Sequence, residues 1–306
     1  MTYDAVLLIA FGGPEKMDDV RPFLANVLKG RPVPPQRLED VVRHYEIFNG
    51  RSPLNEITFR QAKALEERLQ QEGLRLPVYG GMRNWHPYLR ETLEKMAADG
   101  VKRALGVILS AQQSEAGWER YQENVATARA EVGDTAPTID YVPGWHNHPL
   151  FIAAVAELTQ NALAQLPAAR RVNAPVVFTA HSVPVAMPGT SRYVQQIEEG
   201  ARLVADRLGH SRWSVAYQSR SGDPRTPWLE PDIGAILPKL ADDGTRDVVV
   251  VPIGFVCDHI EVLYDLDIEA KQLATTRGLN FLRAGTVNDH PTFIRMLAEV
   301  VRAAVG

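Results

Sequence analysis

Short apolar runs rich in β-branched residues alternate along this chain with longer amphipathic stretches. In the first half the apolar runs are Ala5 to Phe11, Leu76 to Tyr79, Ala104 to Leu109 and Ile139 to Val142. The second half repeats the arrangement with Pro175 to Thr179, Ser214 to Tyr217, Asp247 to Ile253 and Asn280 to Leu282. Runs that stay apolar throughout, such as Val248 to Val251, suit strands buried on both faces, and the stretches between them suit right-handed helical crossovers. The pattern predicts two similar α/β sandwiches, each built on a parallel sheet. Their boundary is expected near Trp145 to Pro149, where a Pro-Gly-Trp loop precedes a helix starting at about Leu150, giving domains 1–148 and 149–306. The final helix, Pro291 to Ala304, is able to pack on either half.

Composition narrows the class. A length of 306 residues fits about two domains, and 45% hydrophobic with 23% charged residues is ordinary for a globular chain. No segment reaches the apolar length needed to cross a bilayer, and an acidic Asp4 without a basic leader argues against a signal peptide, so a cytoplasmic monomer is expected. A single cysteine, Cys257, makes no internal disulfide and by itself holds neither an iron–sulfur cluster nor structural zinc. The net charge of -4, with scattered basic residues, disfavours nucleic acid as a partner.

Ligands of open parallel sheets bind at the carboxyl ends of strands, which directs attention to three segments. They are Phe11-Gly12-Gly13-Pro14, Ala180-His181-Ser182-Val183-Pro184, and Gly254 through Glu261. His181 leaves a strand directly, where an imidazole with an ordinary pKa near ~6.5 is suited to accept protons, or simply to hydrogen-bond within a loop. Glu261, Asp265 and Glu269 fall at i, i+4 and i+8, one face of a helix, where like charges repel unless cations or water compensate. Asp258 as N-cap with Glu261 three residues on would make a capping box, and Asp265 and Glu269 would then be a solvated face. The Phe11 turn reads as a strand-to-helix loop with Pro14 at the first helical position, and it lacks dinucleotide and Walker spacing. Lys29, Arg31, His44 and Arg83 are candidate clamps for substrate carboxylates.

At these residues the chain resembles the ferrochelatase family, and most of all its soluble bacterial members that act on coproporphyrin. The motifs that carry the resemblance run in order along nearly the whole chain. They are Phe11-Gly12-Gly13-Pro14, Gly50-Arg51-Ser52-Pro53-Leu54, Ala180-His181-Ser182-Val183-Pro184, Tyr217 to Gly222 with Pro227 to Asp232, and Pro252 to Phe255 with Asp258 to Asp265. The resemblance implies two Rossmann-like domains of class II chelatase type around a porphyrin cleft. It implies His181 and Glu261 as the catalytic pair, inserting Fe2+ into a metal-free porphyrin in heme biosynthesis, with coproporphyrin III favoured over protoporphyrin IX. Asp265 and Glu269 match an acidic line leading metal toward Glu261, a line that also suits Mg2+, and both His181 and Glu261 are implied metal contacts. Tyr121, Ser52 and Trp228 match residues that line or support the pocket. Phe11 stands where some relatives carry tyrosine and others methionine, so no metal-coordinating tyrosine is expected there. No iron–sulfur cluster is expected, since Cys257 is alone and the chain ends at Gly306 without the extension of the membrane-associated relatives. A cobalt or nickel chelatase and a non-catalytic tetrapyrrole binder are the competing readings, because imidazole and carboxylate do not select iron uniquely.

Overall fold

The structure of the protein is a computed structural model, and it describes residues 2–29, 34–221 and 225–306. Each predicted apolar run becomes a strand: β1 (Ala5–Ala10), β2 (Val78–Met82), β3 (Arg103–Ile108), β4 (Thr138–Tyr141), β5 (Val176–His181), β6 (Trp213–Gln218), β7 (Asp247–Val251) and β8 (Asn280–Arg283). They form two four-stranded sheets ordered β2-β1-β3-β4 and β6-β5-β7-β8, with every neighbouring pair parallel. Helices precede or follow each strand, so the fold is the expected α/β class. The central strands β1 and β7 are buried along their whole length, as the all-apolar β1 and the four valines that follow Asp247 in β7 require. β2 begins and ends later than its apolar run, because pairing along β1 from Val6↔Val78 to Ala10↔Met82 carries it through Gly80 and Gly81.

The chain clusters into two compact units. Met1–Leu109, Trp118–Pro143 and Leu297–Gly306 make the first, and Ser110–Gly117 with Gly144–Met296 the second. The Pro291–Val305 helix therefore contributes its last turns to the first unit. In the first unit Leu7, Ile9 and Ile108 pack with Leu93 and Met96 of the Leu89–Ala98 helix and with Tyr121 and Val125. In the second, Val177, Val248 and Val250 pack with Leu237, Val262, Leu266 and Phe281. Burying a valine or leucine side chain is worth about 1.5–3 kcal/mol. Val262 and Leu266, both at 0% exposure, thus anchor to the sheet the segment on which Glu261 and Asp265 alternate with them.

Two local expectations differ. Pro14 is not the first helical residue: the helix runs Met17–Leu28 with Lys16 as N-cap, after a loop pinned by Asn55. The acidic segment is not one regular α-helix either. An α-helical turn, Ile260–Tyr264, passes into a π-helical turn, Asp265–Ala270, before α-helix resumes at Lys271–Thr276. The widened turn changes the angular register of Asp265 and Glu269 from that of a regular α-helix.

Candidate active site

The order β6-β5-β7-β8 reverses direction between β5 and β7, since β5 continues outward to β6 on one side and β7 to β8 on the other. The carboxyl ends of strands at such a switch point diverge and leave a crevice. His181 is the last residue of β5, and Glu261 follows the loop that leaves β7. That loop crosses β5 closely: Gly254 N–H donates to the Thr179 carbonyl at 3.0 Å, and a Cβ on Gly254 would lie 2.5 Å from Ala180 Cβ. Only glycine allows this approach, which delivers the following turn to His181.

The His181 ring is oriented by its neighbours. Nδ1 lies 2.5 Å from the Ser182 carbonyl oxygen, which only accepts, so Nδ1 carries the proton and donates. The Tyr193 hydroxyl donates to the His181 carbonyl at 3.0 Å and fixes the backbone. That leaves Nε2, the nitrogen that gains and loses a proton, facing Glu261, whose Oε1 is 3.7 Å away. The two side chains are 30% and 48% exposed, so a reactant can reach both. Burial opposes protonation of His181, yet the Glu261 carboxylate, the Ser182 carbonyl and the more distant Asp265 outweigh it and raise its pKa above the ordinary 6.5. Desolvation pushes Glu261 up, but His181 and then His259 outweigh it and hold the carboxyl at about 2.

Asp265 behaves oppositely. Burial raises its pKa; the Ser219 hydroxyl, which donates to the carboxylate, lowers it; Glu261 and Glu269 raise it again, and His181 lowers it, with the net value about 7. Glu269 is exposed in the same π-turn and shares this field. The proposed capping box does not form. His259 is the N-cap, its Nδ1 accepting from Glu261 N–H at 3.2 Å, because Asp258 is committed to Arg283 and Asn288. Gln218 supports the turn from β6, its Nε2 donating to the Glu261 carbonyl at 3.0 Å. Trp228 is partly buried and bridges antiparallel to Pro184, while the neighbouring Ser182 hydroxyl donates to the Leu229 carbonyl at 2.9 Å.

In the first unit, Phe11, Arg83 and Tyr121 come together. The guanidinium carbon of Arg83 lies 5.9 Å from the Phe11 ring centroid and 5.3 Å from that of Tyr121, a cation–π arrangement on two rings. Phe23 meets Phe11 edge-on at 6.2 Å and supports it from behind. Ser52 is buried under the Gly13-Pro14 turn, its N–H donating to the Pro14 carbonyl at 2.8 Å. Lys29 is exposed at the C-cap of Met17–Leu28, and His44 is half-buried in the Pro35–Ile47 helix. Burial, and then Arg37, lower the His44 pKa, so at neutral pH it offers hydrogen bonds rather than charge. Arg31, and Gly222 of the Tyr217 motif, lie outside the described residues.

Ser219, Gln218, Asn55 and Arg283 are the residues that sequence reasoning passed over. Ser219 and Gln218 stood inside a quoted motif without a role; Asn55 and Arg283 carried no local signal.

The ferrochelatase family profile matches residues 3–305. A ferrochelatase of Rhodopirellula baltica is 45% identical over 99% of this chain and 87% of its own length. Coproporphyrin III ferrochelatases of Nocardia farcinica and Mycolicibacterium smegmatis are 46% and 43% identical, covering 99% and 98% of this chain and 88% and 89% of theirs. Among solved structures, SirB from Bacillus subtilis with Fe3+ superposes with a TM-score of 0.64 at 12% identity, covering 100% of this chain and 96% of that one. CbiX, the terminal enzyme of siroheme biosynthesis in denitrifying bacteria, gives 0.55 at 14% identity, covering 99% and 100%. These two share the fold. Among the described residues no helix is long and apolar enough to cross a membrane. With the profile spanning residues 3–305 and identities of 43–46% over nearly the full length, this chain belongs to the ferrochelatase family.

Proposed function

We propose that this chain inserts Fe2+ into a metal-free porphyrin, with coproporphyrin III as the preferred ring, His181 Nε2 as the acceptor of pyrrole protons, and Glu261, Asp265 and Glu269 as the carboxylates that hand over the metal. The observation that carries the reading is the orientation of His181: Nδ1 is spent on the Ser182 carbonyl, so Nε2, the nitrogen left to exchange a proton, is the one that faces Glu261. Insertion exchanges one Fe2+ for two N–H protons, so the site needs a base and an anion together. A carboxyl held at about 2 is a poor base at neutral pH, whereas an imidazole with a raised pKa is a good one. Glu261 therefore serves as the standing negative charge that balances the incoming cation and the imidazolium, and His181 takes the protons in turn and releases them to water. Asp265, at about 7, alternates between anion and acid and is suited to pass metal inward and protons outward. Imidazole and carboxylate hold Fe2+ without the tight grip of thiolate, so the metal can leave for the ring. Mg2+, a hard cation, would compete at Asp265 and Glu269.

The ring must buckle for its nitrogens to face the ion, and binding energy at its rim can supply strain of about 1–5 kcal/mol. Arg83, which rests on Phe11 and Tyr121, carries a guanidinium suited to a substrate carboxylate, and Lys29, Arg31 and His44 are the further partners proposed. Four propionates engage such a set better than two. Anaerobic Fe2+ insertion assays with coproporphyrin III and protoporphyrin IX test the reading, with Co2+ and Ni2+ as alternative metals. A higher kcat/KM for coproporphyrin III and Fe2+ is expected. Preference for protoporphyrin IX overturns the ring assignment, and binding without insertion of any metal overturns catalysis.

A further inference from the structure

We propose that Arg283, the last residue of edge strand β8, is a positioning residue for the metal-handling carboxylates: one guanidinium clamps both flanks of the segment that presents Glu261 and Asp265. The inference rests on the roles given to those two carboxylates above.

The Arg283 side chain is only 13% exposed and meets two acids. Its Nε and a terminal nitrogen donate to the two oxygens of Asp267, at 2.6 and 2.8 Å, in a bidentate fork. Its other terminal nitrogen donates to Asp258 at 2.9 Å and to the Ala284 carbonyl at 3.2 Å. Asp258 precedes the His259 N-cap and stands three residues before Glu261; Asp267 lies two residues beyond Asp265 in the π-helical turn. Asn288, with φ of 39°, completes the hold on Asp258 by donating Nδ2 to its second carboxylate oxygen at 3.0 Å while accepting its N–H at 2.9 Å.

Two consequences follow for the reaction. A π-helical turn has poorer backbone geometry than an α-helical one and needs outside support to keep a single shape. Val262 and Leu266 supply it on the core side, and Arg283 at the two ends, so the spacing of Glu261 from Asp265 is set between fixed points. The clamp also sorts the acids. Five carboxylates lie between residues 258 and 269, and the two whose oxygens are engaged by Arg283 are drawn away from cation binding, leaving Glu261, Asp265 and Glu269 for metal. Lysine cannot reproduce the fork, because its ammonium is a compact point charge without the planar pair of N–H donors that meets both oxygens of Asp267.

The test uses the full chain with Arg283→Lys and Asp258→Asn, and Glu261→Gln as reference. Fe2+ KM and kcat are measured alongside porphyrin affinity by fluorescence quenching and thermal unfolding. Partners that orient metal-contacting groups are worth about 10- to 100-fold, so Arg283→Lys is expected to raise Fe2+ KM at least about tenfold, and Asp258→Asn to raise it less, with porphyrin affinity unchanged in both. A purely structural role predicts lost Tm and lost active fraction with Fe2+ KM unmoved in the folded enzyme, and that outcome overturns the proposal. If Arg283→Lys does not fold, Asp258→Asn decides by the same criterion. Glu261→Gln separates the two levels: wild-type insertion by that variant removes the carboxylate assignment and the clamp's purpose with it, whereas a crippled Glu261→Gln beside an unaffected Arg283→Lys overturns the clamp alone.

Discussion

His181 Nε2 lies 3.7 Å from Glu261 Oε1, close enough for each charge to set the other's ionisation and too long for a formed hydrogen bond. The pair titrates as a unit, with the carboxylate keeping the imidazolium and the imidazolium keeping the carboxylate.

A pH profile reads this coupling. His181 accepts protons only when neutral, so turnover falls as pH drops through its raised pKa. Glu261→Gln removes the anion that stabilises the imidazolium, the His181 pKa falls, and the acidic limb of kcat moves to lower pH. Turnover at pH 7 is expected to fall at the same time, by about 10²-fold, because the standing charge that meets the cation is gone. His181→Ala is expected to lose about 10²- to 10⁴-fold in kcat with porphyrin binding intact. A profile that keeps its acidic limb in Glu261→Gln assigns that limb to another group.

The places of His181 and Glu261 after strand ends were legible from the apolar runs that finish at Ala180 and Ile253, but their roles as a pair came only from the family resemblance. The β-strands were legible from the same kind of apolar run. What escaped depends on contacts distant in sequence. Asp258 looked like an N-cap, but Arg283, 25 residues on, takes its carboxylate and His259 caps instead. The acidic series looked like one helical face, since nothing local announces that the turn after Tyr264 widens to π geometry. Ser219 sits in the left-handed region at φ 63°, a placement that β6, the turn and Asp265 impose together.

Arg83 should govern ring preference. Its guanidinium rests on Phe11 and Tyr121, so Arg83→Met keeps the stem and much of the packing while deleting the charge. The kcat/KM for coproporphyrin III is expected to drop about tenfold, the worth of one charge-assisted contact, and to drop less for protoporphyrin IX. Equal losses on both rings would place Arg83 away from the propionates that distinguish them.

Ser219→Ala removes the donor that keeps Asp265 from rising further. The anion loses a stabilising partner, the Asp265 pKa climbs above its value of about 7, and more of it is protonated at neutral pH. A hydrogen bond to a charged group is worth about 1.5–3 kcal/mol, so Fe2+ KM at pH 7 should rise by about tenfold or more. Raising the pH restores the anion, and the gap from the wild type should narrow by pH 8.5. A gap that stays constant across pH would mean that Ser219 acts through geometry alone.

Gly254→Ala tests whether the crossing of the two strand-end loops positions His181. The added Cβ would stand 2.5 Å from Ala180 Cβ and 2.7 Å from Ala180 Cα, in a place where backbone must move. Overpacking of this kind costs about 1–3 kcal/mol. The displaced residue is the one before His181, so the imidazole should shift from Glu261 and kcat should fall in the enzyme that remains folded. Gly278→Ala is the control. Gly278 has φ of 75° with nothing within 4 Å of an added Cβ, so alanine there costs backbone strain far from the imidazole. Both variants should lower Tm, and only Gly254→Ala should lower kcat per folded molecule, measured by active-site titration with porphyrin. If the two variants lose stability alike and turn over alike, the loop crossing holds the fold but does not aim the base.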